Sequence, residues 1–332
     1  MKTVGFRWKI FFVCVTIFAV AAAALTAVGC TGSQATAEAD KHLVLNCSFD
    51  YMKVGESRRY YIKKYPAQAG YETVWGSLDE NVAIVDEKGE VTALSGGETT
   101  ITVSAKNTPY KAAMKLTVAD ETVDPEAGIN ALQEAVDNVK NDGYVLIKGG
   151  YYPSLIVSKR VSVTGAEGAR IGDVKIKDGG ALYLYSTEIY AASGSGSEAC
   201  VNMNENAEFT AVGCSFLYDR EEKEPPSDTA VLSPSDAVRV YLRACSFSGY
   251  STCVKIGATE GEIRIVNNDF SDADVAVEID MRDSVTGKNK EPFGVVADNV
   301  YLGCDDCVKL CYYASSYTGR LETDDADVSV PS

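Results

Sequence analysis

Histidine is almost missing from this chain of 332 residues; the only one is His42. Beyond that position no site can rest on an imidazole, and a zinc site built on Cys304, Cys307 and Cys311 finds no histidine to complete a tetrahedral set. Cations are also short. There are 31 Lys and Arg against 47 Asp and Glu, a formal net charge of −16, with no run of basic residues to offset it. A field of that sign repels nucleic acid and anionic lipid, so no nucleic-acid partner is expected. After the first thirty residues no apolar run approaches the roughly 20 residues that span a bilayer. The rest of the chain is therefore expected to be soluble and to form about two domains.

What is present begins with Lys2, Arg7 and Lys9, an apolar stretch from Ile10 to Leu25, and the small-residue segment Ala27-Val28-Gly29-Cys30. A positive start, an apolar middle and small residues before a cut are the features of an export signal, expected over residues 1–30. The last tetrapeptide resembles the lipobox of bacterial lipoproteins, which implies acylation of the Cys30 thiol and a membrane anchor facing the cell exterior or the periplasm. The competing reading is an uncleaved membrane helix. Residues 31–41 are polar and are expected to be a tether. With the signal three cations leave and no acid does, so the net charge moves from −16 to −19.

From His42 to Asp120 short apolar runs alternate with polar residues and are broken by Gly, Asn and Asp, as at 82–85, 91–94 and 100–104. This pattern predicts an antiparallel β-sandwich, with a hairpin at Asp86-Glu87-Lys88-Gly89. Val74-Trp75, the stretch from Asn81 through Ala93 and the closing run from Gly97 to Val103 resemble the bacterial Ig-like group 2 (BIG2) domain. That resemblance covers residues 42–120 and implies a stalk or an adhesion module.

A second module is expected over residues 124–317. Ile129, Leu132, Ala135, Val136 and Val139 have helical spacing after Asp124-Pro125, and Asn141-Asp142-Gly143 ends the pattern. Three short β segments follow within 144–165. This opening resembles that of the pectin-lyase-like right-handed parallel β-helix, single-stranded, with an N-terminal capping helix. Five repeats then fit one template, starting near Gly180, Ala207, Val238, Gly261 and Pro292. Inward pairs are expected at Leu182/Leu184, Phe209/Ala211, Val240/Leu242, Ile263/Ile265 and Gly294/Val296, each followed by a large residue at Ile189, Phe216, Phe247, Phe270 and Tyr301. A lone amphipathic strand cannot bury its face, whereas stacked copies form a continuous core. The fold class is thus all-β. Inserted loops are expected near 194–197, 219–235 and 282–291, and a disordered tail over 318–332.

Eight cysteines remain once Cys14 leaves with the signal and Cys30 is acylated. Cys214 and Cys245 share a template column with Thr187, Asn268 and Asn299; Cys200, Cys253 and Cys307 share another with Ala230 and Ala276. Ladders of small side chains are the first reading. Disulfides between rungs and a metal site stay open beside it.

The β-helix resemblance implies carbohydrate chemistry, including polysaccharide lyases and glycosidases. Lyases of that kind use outward acids to hold Ca²⁺, and the outward positions taken from Tyr183, Thr210, Tyr241, Arg264 and Val295 onward show no carboxylate cluster. Polygalacturonase-type enzymes need paired aspartates and a Gly-His-Gly, which is absent. No catalytic residues and no cofactor or metal are therefore expected. The same face offers Tyr183, Tyr185 and Tyr241 with Arg243 and Arg264, residue types that stack on sugar rings and pair with uronate carboxylates; tyrosine is equally a good strand former. The expectation is a non-catalytic surface lipoprotein that binds polysaccharide or a cell-wall glycan. The alternatives are a Ca²⁺-dependent lyase or related glycan-active enzyme, and a structural protein that makes contact through the acidic loop 219–228.

Overall fold

The computed structural model describes residues 43–64, 71–190, 198–218, 229–234, 236–313, 321–323 and 328–329. The export signal, the tether, Cys30, His42 and the loops at 194–197 and 219–228 lie outside them. Among the described residues no helix is long and apolar enough to cross a membrane.

The first module is a two-sheet sandwich. One sheet orders Phe49–Lys53, Lys111–Ala119, Gly97–Ala105 and Thr73–Ser77; the other orders Ser57–Arg59, Glu90–Ala93 and Ala83–Val85. Strict alternation in Gly97–Ala105 turns Ile101 and Val103 into a core with Met52, Val91, Met114, Leu116 and Val118. The sandwich is not wholly antiparallel as expected, because Phe49–Lys53 runs parallel to Lys111–Ala119. The predicted hairpin is held by its aspartate: the Asp86 carboxylate accepts from the Lys88 and Glu90 N–H groups, both at 2.8 Å. Gly89 has φ +79, and an added Cβ would lie 2.5 Å from the Tyr60 carbonyl and 2.9 Å from the Trp75 ring. Only glycine fits where that indole crosses the turn.

No linker separates the modules. Asp120 is the single residue between Lys111–Ala119 and Glu121–Val123, and the latter pairs in parallel with Gly143–Ile147. The Asp120 N–H donates to the Tyr144 carbonyl, and its carboxylate accepts from the Tyr144 N–H, both at 2.8 Å. Lys53 and Glu121 add an ion pair at 2.8 Å.

The second module is a parallel β-helix. Its coils place Glu121–Val123, Gly143–Ile147, Arg160–Gly165, Ala181–Tyr185, Glu208–Val212, Arg239–Arg243, Glu262–Val266, Phe293–Ala297 and Leu321–Thr323 side by side in a nine-stranded sheet. A thirteen-stranded sheet takes the other coil strands, while Arg282–Asp283 and Lys288–Asn289 pair with each other as an antiparallel ribbon. The inward pairs fall as the repeat predicts: Leu184, Ala211, Leu242, Ile265 and Val296 are consecutive register partners, and all are fully buried. In the middle of the three-residue strands of the larger sheet Phe216, Phe247, Phe270 and Tyr301 stack, with centroids 4.4, 4.9 and 5.5 Å apart and planes within 12°.

The corner between the sheets explains the first cysteine column. Ser186, Gly213, Ala244, Asn267 and Asp298 all take positive φ between 48° and 63°, turning each coil sharply. The residue that follows then reaches back one coil to a strand carbonyl. Asn299 donates to Ile265 O, Asn268 to Leu242 O, Cys245 to Ala211 O and Cys214 to Leu184 O. A thiol and a carboxamide thus serve one purpose at equivalent positions, which is to satisfy a buried backbone acceptor. Cys214 and Cys245 are ladder thiols.

Two expectations need correction. The helix is shorter than the periodicity predicts, covering Ala131–Asn138, with Leu132 and Val136 buried over the first coils. Asp124 and Pro125 instead open a 3₁₀ turn, Gly128 at φ 133° breaks the chain after it, and Ile129 is left 75% exposed. The tail expected to be disordered contributes Leu321–Thr323 to the nine-stranded sheet and Val328–Ser329 to the other. Leu321 is buried beneath the last full coil, so one apolar residue suffices where a strand edge is waiting.

Candidate functional site

The outward face of the nine-stranded sheet carries the residues singled out by the sequence. Register partners run Tyr144, Ser162, Tyr183, Thr210, Tyr241 and Arg264 along one column. Large and small alternate. Ser162 and Thr210 are buried, while the tyrosines are half-buried, so each small residue floors a hollow between two rings. One shallow depression of about 400 Å³ lies over Thr210 between Tyr183 and Tyr241 and includes Tyr185, Arg239, Glu262 and Arg264. A second, of about 260 Å³, lies over Ser162 between Tyr144 and Tyr183 and is closed by Asp142 and Arg160.

A ladder of charge flanks this column. The Glu262 carboxylate meets Arg264 at 2.9 Å and Arg239 at 3.0 Å. Glu208 lies 3.9 Å from Arg239 and 3.7 Å from Arg160, and Arg160 lies 3.6 Å from Asp142. The Tyr183 hydroxyl donates to Glu208 at 3.2 Å. Three acids thus face three guanidinium groups along the same strands.

Burial pushes the Tyr144, Tyr183 and Tyr185 phenols up, Tyr185 to about 12. The Glu98 carboxylate, from the sandwich strand Gly97–Ala105, adds to the rise at Tyr144 and Tyr185, and Glu208 does so at Tyr183. These hydroxyls stay protonated and able to donate well above neutral pH.

Of the five residues selected from sequence, Tyr183, Tyr185, Tyr241 and Arg264 come together around one depression. Arg243 stands on the same face, two residues along from Tyr241, and does not line it. The outward positions taken from the sequence hold no carboxylate, but the same face also carries Glu208 and Glu262. They sit at the first position of their strands, two residues before the outward positions the repeat template took, and extending its period of two backwards over Ala181, Glu208, Arg239, Glu262 and Phe293 would have found them. Tyr144 and Ser162 were missed because the first two coils lack the template's later cysteine or asparagine corner. On the other sheet Lys255, Glu278 and Lys309 are register partners on successive coils, and Glu278 bridges the two lysines at 3.2 and 3.3 Å.

Among the described residues, no three His, Cys, Asp or Glu side chains are grouped to hold a metal ion. Residues 51–116 match the family model of the bacterial Ig-like domain (group 2), which makes the first module a member of that family and lies inside the limits expected from sequence. No curated protein matches the chain.

Proposed function

We infer that this is a surface or adhesion protein, the general class that an Ig-like domain followed by a β-helix fits. We propose, more narrowly, that this chain is an exported lipoprotein anchored through Cys30, and that its pectin-lyase-like β-helix binds a polysaccharide or cell-wall glycan on the tyrosine face. The Ig-like domain serves as the stalk. The observation that carries this reading is the pair of hollows framed by Tyr144, Tyr183 and Tyr241, each edged by charged groups able to donate to and accept from hydroxyls. Aromatic rings supply apolar area for sugar faces, and the Arg–Glu ladder supplies directional hydrogen bonds.

The test is a glycan array probed with the protein and with Tyr183→Ala plus Tyr241→Ala. Binding by the parent and its loss in the double variant support the proposal; unchanged binding means that the face is misassigned. Anchoring is tested by replacing Cys30 with Ser, which should release the protein from the membrane fraction.

One observation favours a second reading, a glycan-active enzyme. Glu208 and Glu262 lie two coils apart, about 10 Å at the backbone, near the upper end of the carboxyl separation in inverting glycosidases. Arg239 stands between them and pairs with both, an arrangement better suited to holding a ligand than to shuttling protons. Release of reducing ends from any bound glycan, abolished in Glu208→Gln, would favour the enzyme.

A further inference from the structure

The tyrosine column also bears on what kind of glycan it takes, an inference that rests on the binding proposal above. Two features of the face matter, its period and its charge.

The column repeats every second coil. Tyr144, Tyr183 and Tyr241 are separated in turn by Ser162 and Thr210, so successive rings stand about 10 Å apart along the helix axis. The two hollows between them are joined at Tyr183, which lines both. A ligand that used one ring alone would gain nothing from this repeat. A straight chain of pyranose rings lying along the axis, across the strands, sets every second ring over a tyrosine.

The charge beside the two hollows is already balanced, and Arg243, on the same face, lines neither of them. Asp142, Glu208 and Glu262 are matched by Arg160, Arg239 and Arg264, and every one of those guanidiniums has a carboxylate within 4 Å. A uronate or sulfated chain would have to displace a glutamate from its guanidinium while approaching a chain of net charge −16. A neutral sugar faces no such exchange. Its hydroxyls accept from guanidinium N–H groups that the glutamates leave unused, and they donate to the remaining carboxylate lone pairs. We therefore infer that the ligand is a neutral, extended polysaccharide bound along the helix axis and read with a two-sugar period. This departs from the uronate pairing expected of Arg243 and Arg264 from sequence.

The test titrates the full chain, in mild detergent, with β-linked gluco-oligosaccharides from disaccharide to octasaccharide, and in parallel with oligogalacturonates of the same lengths. Neutral oligomers should bind, with affinity rising stepwise each time the chain gains two sugars, by about five- to tenfold per tyrosine engaged. Tyr144→Ala should remove the last step and leave shorter oligomers unaffected. Oligogalacturonates should bind only after Glu262→Gln, which frees Arg264 and leaves Arg239 only its longer pair with Glu208, without changing shape. Three outcomes overturn the inference. These are preference of the parent for oligogalacturonates, an even rise with each added sugar, and indifference of the long chains to Tyr144→Ala. If the uronate preference is itself lost in the Tyr183→Ala plus Tyr241→Ala protein, the binding face stands and only the ligand class falls. If neither series binds, both the inference and the binding proposal fall.

Discussion

Asn268 is the residue whose replacement should most directly expose how the coils are held at their corners. It is fully buried, and its side chain makes three hydrogen bonds. Nδ2 donates to Leu242 O at 3.1 Å and to Asn299 Oδ1 at 3.0 Å, while Oδ1 accepts from the Cys245 N–H at 2.9 Å. Asn268→Ala leaves the Cys245 N–H without a partner in the interior and takes a side-chain donor from the Leu242 carbonyl, which lies within the parallel ladder. Asn299 Oδ1 keeps the bond it accepts from the Asn268 backbone at 3.0 Å. An orphaned buried group costs about 1–3 kcal/mol and a lost second hydrogen bond about 0.5–1.5 kcal/mol, so a loss of about 2–4 kcal/mol is expected. The neighbouring coils supply the control. Cys245 reaches Ala211 O at 3.4 Å from the equivalent position, so Asn268→Cys should still satisfy Leu242 O and strand only the Cys245 N–H. Its cost should be smaller by about 1 kcal/mol, the value of that one hydrogen bond. Urea unfolding followed by far-ultraviolet circular dichroism measures both; with a slope of about 2–3 kcal/mol/M, Asn268→Ala should lower the midpoint by about 1–1.5 M. The reasoning fails if the alanine variant unfolds within about 0.3 M of the parent, or if the cysteine variant is as damaged as the alanine one.

The aromatic stack makes a second prediction: Phe247, 1% exposed between Phe216 and Phe270, should cost about 3–5 kcal/mol as Ala and far less as Leu, checked by the same denaturation. In the sandwich, burial pushes the Asp50 carboxyl up, but hydrogen bonds from Arg58, Tyr60 and the Tyr51 N–H together hold it below the ordinary carboxylate value. The stability it contributes is therefore present above about pH 4 and lost as the pH falls through the lowered folded value. Asp50→Asn should flatten that acid limb in a series of thermal melts from neutral to strongly acidic pH. Finally, Cys214 and Cys245 should resist a thiol reagent in the native protein and label fully in denaturant without reductant, as peptide mass spectrometry can read; labelling only after reduction would place them in disulfides.

The repeat was legible because a buried strand face leaves a period of two and stacked coils leave it again every coil. Residues as different as Phe209 and Val240 could be aligned because both need only be apolar and inward. The helix start was misjudged at Ile129 because Asp124-Pro125 begins a 3₁₀ turn as readily as an α-helix, and Gly128 decides between them only through its backbone conformation. The tail at Leu321 was misjudged because a single buried residue on an acidic segment leaves no local pattern.

By itself the sequence determined the all-β class, the two modules, the inward columns and the tyrosines of the candidate face, since each follows from local alternation or from repetition. Only the tertiary structure decided that Tyr144 and Ser162 join Tyr183 and Tyr241 in one column, that Glu208 and Glu262 neutralise the arginines beside them, and that thiols and carboxamides perform the same task at the corner. Those relations depend on which residue of one coil lies above which residue of the next, a distance of about 5 Å in space bridged by some 20 to 30 residues of chain, and register across such a gap is set by packing of the whole stack.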